Sequence, residues 1–349
     1  MQRRTFTRTL VAAALATTLA AAAGCSDDAD DTTSGSGGSQ SLEKVTYLTS
    51  FGNFGRDSYA YVAKEKGYFK AAGFDVEIKA GNGSLENAKT IVSGQAQFTP
   101  IDLTGGLLAA GGANGQPKLT GFTAVAAIQQ RTMAAIMSLD GYGINTPKDL
   151  EGKTIADTPG SVVKNLFPTY AKLAGVDAAK VKFVPGTAQT LFGTLASHQV
   201  DGIGQFVVGK PTIENIAKGR TAVLLPYSDV LQDLYGNVLI TGSQYAKDHP
   251  DRVKKFSDAL LKGLQDAITN PDEAGTILKK YVDTAVPASA SAELKLMGAF
   301  VKSEASGVPV GALDSQRVAR SIAILQGAGQ IPAGLAPEQV ITFDLVPNA

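Results

Sequence analysis

Lys44–Lys79 reads KVTYLTSFGNFGRDSYAYVAKEKGYFKAAGFDVEIK. Its first five residues alternate β-prone side chains, and its last six, FDVEIK, alternate strictly between apolar and charged. Period-two alternation is the pattern of a strand with one buried face. Between these strands, Thr49–Gly55 is a polar, glycine-containing loop, and Asp57 is placed to cap a helix over Ser58–Lys66. Tyr61, Val62 and Ala63 supply part of that helix's apolar face, and Gly67 ends it. Tyr68-Phe69 starts a short second turn closed by Gly73.

The same unit repeats outward. Gly81–Ser84 is a loop, Ser84 caps a helix over Leu85–Val92, Gln97–Ile101 is a third strand, and Asp102 opens a helix over Leu103–Ala110. Strand-like runs at Val125–Ile128 and Ala134–Leu139 begin a second series. It continues with a helical turn (Pro147–Leu150), strands at Lys153–Ala156, Val181–Val184 and Val200–Gly204, and helices ending at Leu173, Ser197 and Ala217. The tail is mainly helical: Pro250–Thr269, Asp272–Tyr281, Ala290–Lys302 and Ser315–Gln326. This repetition predicts an α/β fold of two lobes, each with a largely parallel sheet. Ligands of such sheets sit beyond the carboxyl ends of the strands, so two facing lobes predict a cleft that closes on a small ligand.

The N-terminus reads as an export leader over residues 1–24. Arg3, Arg4 and Arg8 precede an apolar run from Leu10 to Ala23, and Ala22-Ala23-Gly24 places small residues before Cys25, the only cysteine. A lone thiol forms no internal disulfide, so Cys25 is expected to be lipidated at the cleavage point, as in the lipobox that this arrangement resembles. Residues 25–41 then form a tether. Ser26–Ser41, SDDADDTTSGSGGSQS, has no large apolar side chain and is expected to be disordered. Its reach as a flexible chain is about 20–25 Å. The expected location is the extracytoplasmic face of the cell membrane, held by lipid. No later stretch has the roughly 18 consecutive apolar residues of a spanning helix.

Composition narrows the function. Removal of residues 1–24 takes away three arginines and leaves 29 basic against 32 acidic residues, a net charge of −3. No Lys/Arg stripe suits nucleic acid. Two histidines and one acylated cysteine leave almost no ligands for zinc or an iron–sulfur cluster, so no metal and no cofactor is expected.

Several motifs together resemble one family. Tyr61–Phe69 (YVAKEKGYF) with Gly73–Val76 (GFDV) resembles an A-x-E-K-G-Y-F…G-x-x-V opening. Ser93–Phe98 (SGQAQF) is similar to S-G-Q-A-D-F, with Gln97 in place of the acid. Ile144–Ile155 (INTPKDLEGKTI) is similar to I-x-x-P-x-D-L-x-G-K-x-I. Leu195–Gly202 (LASHQVDG) resembles L-x-x-G-x-V-D-A, departing at His198 and Gly202, and Asn270–Ala274 resembles a C-terminal helix start. The family is that of the nitrate, sulfonate, taurine and thiamin-pyrimidine receptors of ABC importers. The resemblance spans about Val45 to Phe343. It implies the type II periplasmic-binding fold, with lobe one over residues 42–137 and 238–349 and lobe two over 138–237. It further implies a monomer that captures a small nitrogen- or sulfur-containing solute, delivers it to membrane permease subunits, and does no covalent chemistry. Two rivals stay open. One is a lipid-anchored sensor without transport; the other is a pyrimidine synthase of the same fold, which relies on a histidine and a cysteine-rich motif.

Loops expected at the cleft supply the candidate ligand contacts. Ser50, Phe51 and Asn53 follow the first strand; Phe51 either stacks on a flat ligand or packs the loop. Asn82 and Ser84 follow the second strand, and Asp102 the third; Ser84 and Asp102 either meet ligand or cap their helices. Ser161, in the Thr158–Val162 loop, opens a helix whose N–H groups suit an anion. Gln189, Gln205 and Phe206 come from the following loops. Tyr235 and Asn237, in a Tyr-Gly-Asn that resembles the family's, lie at the second lobe crossing. Arg131, near the first crossing, either pairs with an acidic ligand group or is a solvated surface arginine. The cleft candidates are mostly neutral hydrogen-bonders with no tryptophan available, which leans toward an organic, nitrogen-containing ligand over a sulfonate or nitrate.

Overall fold

The computed structural model describes residues 41–303 and 307–347. The expected leader, Cys25 and all but the last residue of the expected tether lie outside the described residues. The alternation in the opening stretch becomes β1 (Glu43–Leu48), the two-residue β2 (Phe51–Gly52) and β3 (Phe74–Lys79). β1 and β3 pair in parallel, with Val45 opposite Val76 and Tyr47 opposite Ile78. Then come β4 (Gly81–Asn82), β5 (Phe98–Asp102), β6 (Phe122–Ala127), β7 (Ala134–Leu139) and β8 (Thr154–Asp157). The last four strands are β9 (Lys182–Pro185), β10 (Gly202–Phe206), β11 (Ala222–Pro226) and β12 (Asn237–Gly242).

Two five-stranded sheets result, in the orders β3-β1-β5-β12-β6 and β11-β7-β10-β8-β9. Each is mixed, which corrects the expectation of largely parallel sheets. β1, β3 and β5 are parallel, as are β8, β9 and β10. β12 runs against both of its neighbours, and so does β7. β7 and β12 are the first strands after each passage between sheets, so each arrives from the opposite lobe and enters reversed. β7 joins the second sheet whole and Asn237 already pairs with β5 in the first. The crossings are therefore 128–133 and 227–236, slightly earlier than the expected 137 and 237.

The helices are α1 (Ser58–Glu65), α2 (Tyr68–Ala71), α3 (Ser84–Val92), α4 (Leu103–Gly111), α5 (Val162–Leu173) and α6 (Leu191–Ala196). They continue with α7 (Lys210–Ile216), α8 (Ser243–Asp248), α9 (Pro250–Thr269), α10 (Pro271–Tyr281), α11 (Pro287–Val301) and α12 (Ser315–Gly327). The tail belongs to the first lobe. Phe256 of α9 stacks on Phe98 of β5 with ring centroids 3.9 Å apart, and Leu260 and Leu264 join the same core as α1. α12 packs beside α4 through Val318, Ile322 and Leu325.

The two crossings are zipped together. Ile128 and Gln129 donate their N–H groups to the Asn237 carbonyl at 2.7 and 3.0 Å, and Gln129 Oε1 accepts the Asn237 N–H at 2.7 Å. Thr132 N–H donates to the Leu234 carbonyl at 2.9 Å. Gly236 permits this approach: a Cβ there would sit 2.6 Å from the Arg131 carbonyl oxygen, closer than atoms tolerate.

Candidate functional site

The carboxyl ends of β1, β5, β8 and β10 converge on one narrow pocket, with the first turns of α3 and α5 closing its sides. Its empty space is about 450 Å³, open solvent at the mouth included. The first lobe contributes Ser50 and Phe51, Gly83 and Ser84, Ile101 and Asp102, and Asn237; the second contributes Asp157, Thr158, Ser161, Val162, Val163, Gln205 and Phe206. Eight of the thirteen residues expected at the cleft therefore line it: Ser50, Phe51, Ser84, Asp102, Ser161, Gln205, Phe206 and Asn237.

The other five stand elsewhere. Asn53 accepts the Tyr61 hydroxyl at 2.9 Å and borders a separate groove, because the chain turns away after β2. Asn82 and Gln189 are exposed and line no part of the pocket. Arg131 Nη2 donates to the Ala299 carbonyl at 3.0 Å and its guanidinium lies over Phe300, which turns it away from the cleft. Tyr235 is buried on the far side of the crossing, where its hydroxyl accepts the Asp314 N–H at 2.9 Å and Arg317 covers its ring at 4.0 Å.

Two expected caps also differ. Asp57 makes no side-chain cap on α1; its Oδ1 instead accepts the Ser50 N–H at 2.9 Å and the Ser50 hydroxyl at 2.8 Å. Ser84 is the first residue of α3 and not its cap, and its Oγ accepts the Asp102 N–H at 3.1 Å. Asp102 and Ser161 do cap. Asp102 Oδ1 accepts the Thr104 N–H at 2.9 Å, and Ser161 Oγ the Val163 N–H at 3.1 Å. Asp102 also receives the Thr132 hydroxyl at 3.4 Å, which ties the cleft wall to the first crossing.

The main residue missing from the sequence expectation is Asp157, the last residue of β8. It is 3 % exposed, and its Oδ1 accepts the Thr158 N–H at 2.7 Å, while Oδ2 has no hydrogen-bond partner. Gly204 makes room for it: a Cβ on that residue would lie 2.1 Å from Asp157 Oδ2. Burial pushes Asp157 up to about 6, with the nearby Ser161 hydroxyl and the Thr158 and Lys164 N–H groups pulling the other way. Burial likewise raises Asp102 to about 6 against its hydrogen bonds from Thr104, Gly105 and Thr132. Beside Asp157, Gln205 Oε1 accepts the following N–H of Phe206 at 3.0 Å, and its Nε2 is buried without a partner. A second missed residue, Asn87, holds the loops behind the wall. Its amide donates to the Thr49 and Ser50 carbonyls and its Oδ1 accepts the Asn82 N–H.

The pocket's electrostatics follow. Two buried carboxylates, one from each lobe, face a cleft whose lining includes no cationic side chain. The N-terminus of α5, expected to seat an anion, already has the Asp157 carboxylate in front of it. Such a site offers acceptors to N–H or O–H donors, plus one unmatched donor in Gln205. Neither histidine reaches it. His198 stacks on Tyr142 at 3.6 Å, and His249 meets Tyr245 edge-on at 5.0 Å. Among the described residues no group of three or more His, Cys, Asp or Glu side chains is placed to hold a metal, and no helix is long and apolar enough to cross a membrane.

Comparison with known proteins agrees with this geometry. The chain belongs to the NMT1/THI5-like family, whose model matches residues 58–274. This bears out the resemblance read from the motifs. It is 26 % identical over 317 residues to the riboflavin-binding protein RibY of Chloroflexus aurantiacus, covering 88 % of this chain and 87 % of that one. It is 24 % identical over 258 residues to a formylaminopyrimidine-binding protein of Halalkalibacterium halodurans, covering 70 % and 73 %. In fold it matches the periplasmic nitrate-binding protein NrtA of Synechocystis PCC 6803, with a TM-score of 0.69, 13 % identity and 87 % of each chain covered. It also matches the alkanesulfonate-binding protein SsuA of Xanthomonas axonopodis pv. citri bound to MOPS, with a TM-score of 0.65, 14 % identity and coverage of 86 % and 98 %. The fold is the two-lobe periplasmic-binding-protein fold, and these relatives and neighbours are substrate-binding proteins.

Proposed function

We propose that this protein captures a small, flat nitrogen heterocycle bearing N–H donors and hands it to the permease of an ABC importer. The observation that carries this reading is the pair of buried, unpartnered atoms on the second-lobe wall, Asp157 Oδ2 and Gln205 Nε2, in a cleft with no lining cation. A buried unpaired polar atom costs about 1–3 kcal/mol. A ligand edge presenting a donor to Asp157 beside an acceptor for Gln205 removes both costs at once. Phe51 and Phe206, one on each lobe, offer faces for the ring. A sulfonate or nitrate would meet two carboxylates instead. The names of the riboflavin- and formylaminopyrimidine-binding relatives agree with a heterocycle. The two lobes close over the ligand about the paired crossings, which requires the ligand to bind the closed form more tightly than the open one. No covalent chemistry is assigned to the cleft.

The same reading places the protein outside the cytoplasm, with Cys25 lipidated and the chain following it as the tether. Incorporation of labelled palmitate that disappears in Cys25→Ser tests the anchor. The ligand is tested by thermal shift of the full chain with riboflavin, formylaminopyrimidine, an alkanesulfonate and nitrate. A ligand at 100 times its Kd stabilises by about 2.7 kcal/mol. A heterocycle is expected to raise the Tm and the two anions to leave it unchanged; stabilisation by an anion alone overturns the reading.

A further inference from the structure

Behind the cleft wall lies a cluster of three charged side chains with no direct part in holding the ligand. Arg56, Asp57 and Glu293 are each 1 % exposed. All three belong to first-lobe segments. Asp57 holds Ser50 through its N–H and its hydroxyl. Arg56 Nη2 donates to the Phe51 carbonyl at 3.4 Å, and its Nε lies 3.8 Å from Asp57 Oδ2. Glu293, on α11, accepts the Arg56 backbone N–H at 3.1 Å.

The cover of this cluster comes from the other lobe. Phe206 of β10 lies over the Arg56 guanidinium, its ring centroid 5.2 Å from the central carbon, with Phe54 at 4.6 Å. Thr212 of α7 donates its hydroxyl to Glu293 Oε1 at 2.5 Å. Phe54 in turn meets Phe192 of α6 edge-on at 6.0 Å. Ser50, Phe51 and Phe206 are also walls of the ligand cleft. One buried cluster therefore grips two cleft residues of the first lobe and touches one of the second.

We propose that this cluster is a closure latch in which Arg56 and Glu293 act as positioning residues, receiving Phe206 and Thr212 only when the second lobe is seated on the first. A guanidinium over an aromatic face is held more strongly once water is excluded. A carboxylate that has lost its water depends on the hydroxyl that replaces it. Separation of the lobes rehydrates both charges, so the contacts stabilise the closed form and set Phe51 against Phe206 across the bound ring. The latch rests on the reading that the cleft closes on a ligand, so its test has one arm with ligand and one without.

Thr212→Val is the first variant, because it is close in volume and Thr212 lies outside the cleft lining. In the full chain it leaves Glu293 Oε1 without its hydroxyl partner in the closed form alone. The dissociation rates of riboflavin and formylaminopyrimidine are expected to rise about tenfold, the effect of losing one hydrogen bond to a charged group. Association rates stay as in wild type. Arg56→Lys is expected to act in the same direction and more strongly, and its effect is expected to shrink in a Phe206→Leu background. The ligand-free arm measures the closed fraction by single-molecule distance between dyes on Glu77→Cys and Lys182→Cys, and Thr212→Val is expected to lower it. If neither heterocycle binds wild-type protein, the ligand reading fails while this arm still decides the latch. Unchanged dissociation rates, or an unchanged closed fraction in Thr212→Val, overturn it; if Arg56→Lys does not fold, Thr212→Val alone decides.

Discussion

The two walls of the cleft differ in how much of their hydrogen-bonding capacity is already engaged. On the first-lobe wall, Ser50 is held by Asp57, Ser84 accepts the Asp102 N–H, and Asp102 takes Thr104 and Thr132. On the second-lobe wall, Asp157 Oδ2 and Gln205 Nε2 are buried without a hydrogen-bond partner, although the Ser161 hydroxyl and the Lys164 N–H lie near the Asp157 carboxylate. Native proteins leave few such groups, and those they leave call for an explanation. The first wall is thus a finished surface that positions, whereas the second carries unmet groups that a ligand completes. Two carboxylates with similar burial and similar upward shifts consequently have different work. Under the proposed function, Asp102 is mainly architectural and Asp157 is the recognition group.

The contrast breaks most easily at Asp157. Asp157→Asn is expected to weaken binding of the heterocycle about 100-fold, since it removes the charged acceptor and leaves an amide in its place. The same substitution is expected to stabilise the ligand-free protein. Asp157 is raised from 3.8 to about 6 in the fold, so its ionised form costs stability above pH 6, by about 3 kcal/mol for a shift of about two units. The stabilisation by Asp157→Asn is therefore full above about pH 6 and fades as the pH falls toward 3.8. Thermal melts across pH 4–8 check this; a variant that melts lower than wild type at pH 7.5 contradicts it.

Asp102→Ala sharpens the comparison from the other side. Loss of the α4 cap is expected to cost about 1 kcal/mol, and the bond from Thr132 goes with it. Affinity should fall less than in Asp157→Asn, as calorimetry would show. The lost cap should be read in denaturant melts near pH 4, because Asp102 is also raised to about 6 by burial and removal of its ionised form offsets the loss at higher pH. Equal losses of affinity in the two variants would remove the distinction between the walls. Smallest of all, Asn53→Ala and Gln189→Ala are expected to leave affinity within about twofold of wild type, as ordinary surface changes do. A large effect from either would mean that the cleft extends beyond the residues gathered here.

Much of this organisation is legible in the chain. KVTYL and FDVEIK announce their strands by alternation, and the β-loop-α order fixes which loops gather at the carboxyl ends. β12 escapes because NVLITG is apolar at successive positions and buried on both faces, leaving no period of two to find. With β12 goes the mixed character of the first sheet. Asp157 escapes for a related reason: it closes a strand just before the Thr-Pro-Gly-Ser turn, and the turn attracts attention to Thr158 and Ser161. An acid at the carboxyl end of a strand, with glycine at the facing position 204, is the signal that would have found it. Arg131 and Tyr235 do lie at the crossings, but a crossing has two sides, and only packing decides which one a side chain takes.

A crystal structure of the full chain closed on riboflavin or formylaminopyrimidine tests the account most directly. The prediction is a ring N–H or amino group within about 3 Å of Asp157 Oδ2, with a ligand acceptor at Gln205 Nε2 and the ring between Phe51 and Phe206. A ligand held only by the first-lobe wall, or an anionic group over the start of α5 with Asp157 turned aside, would contradict it.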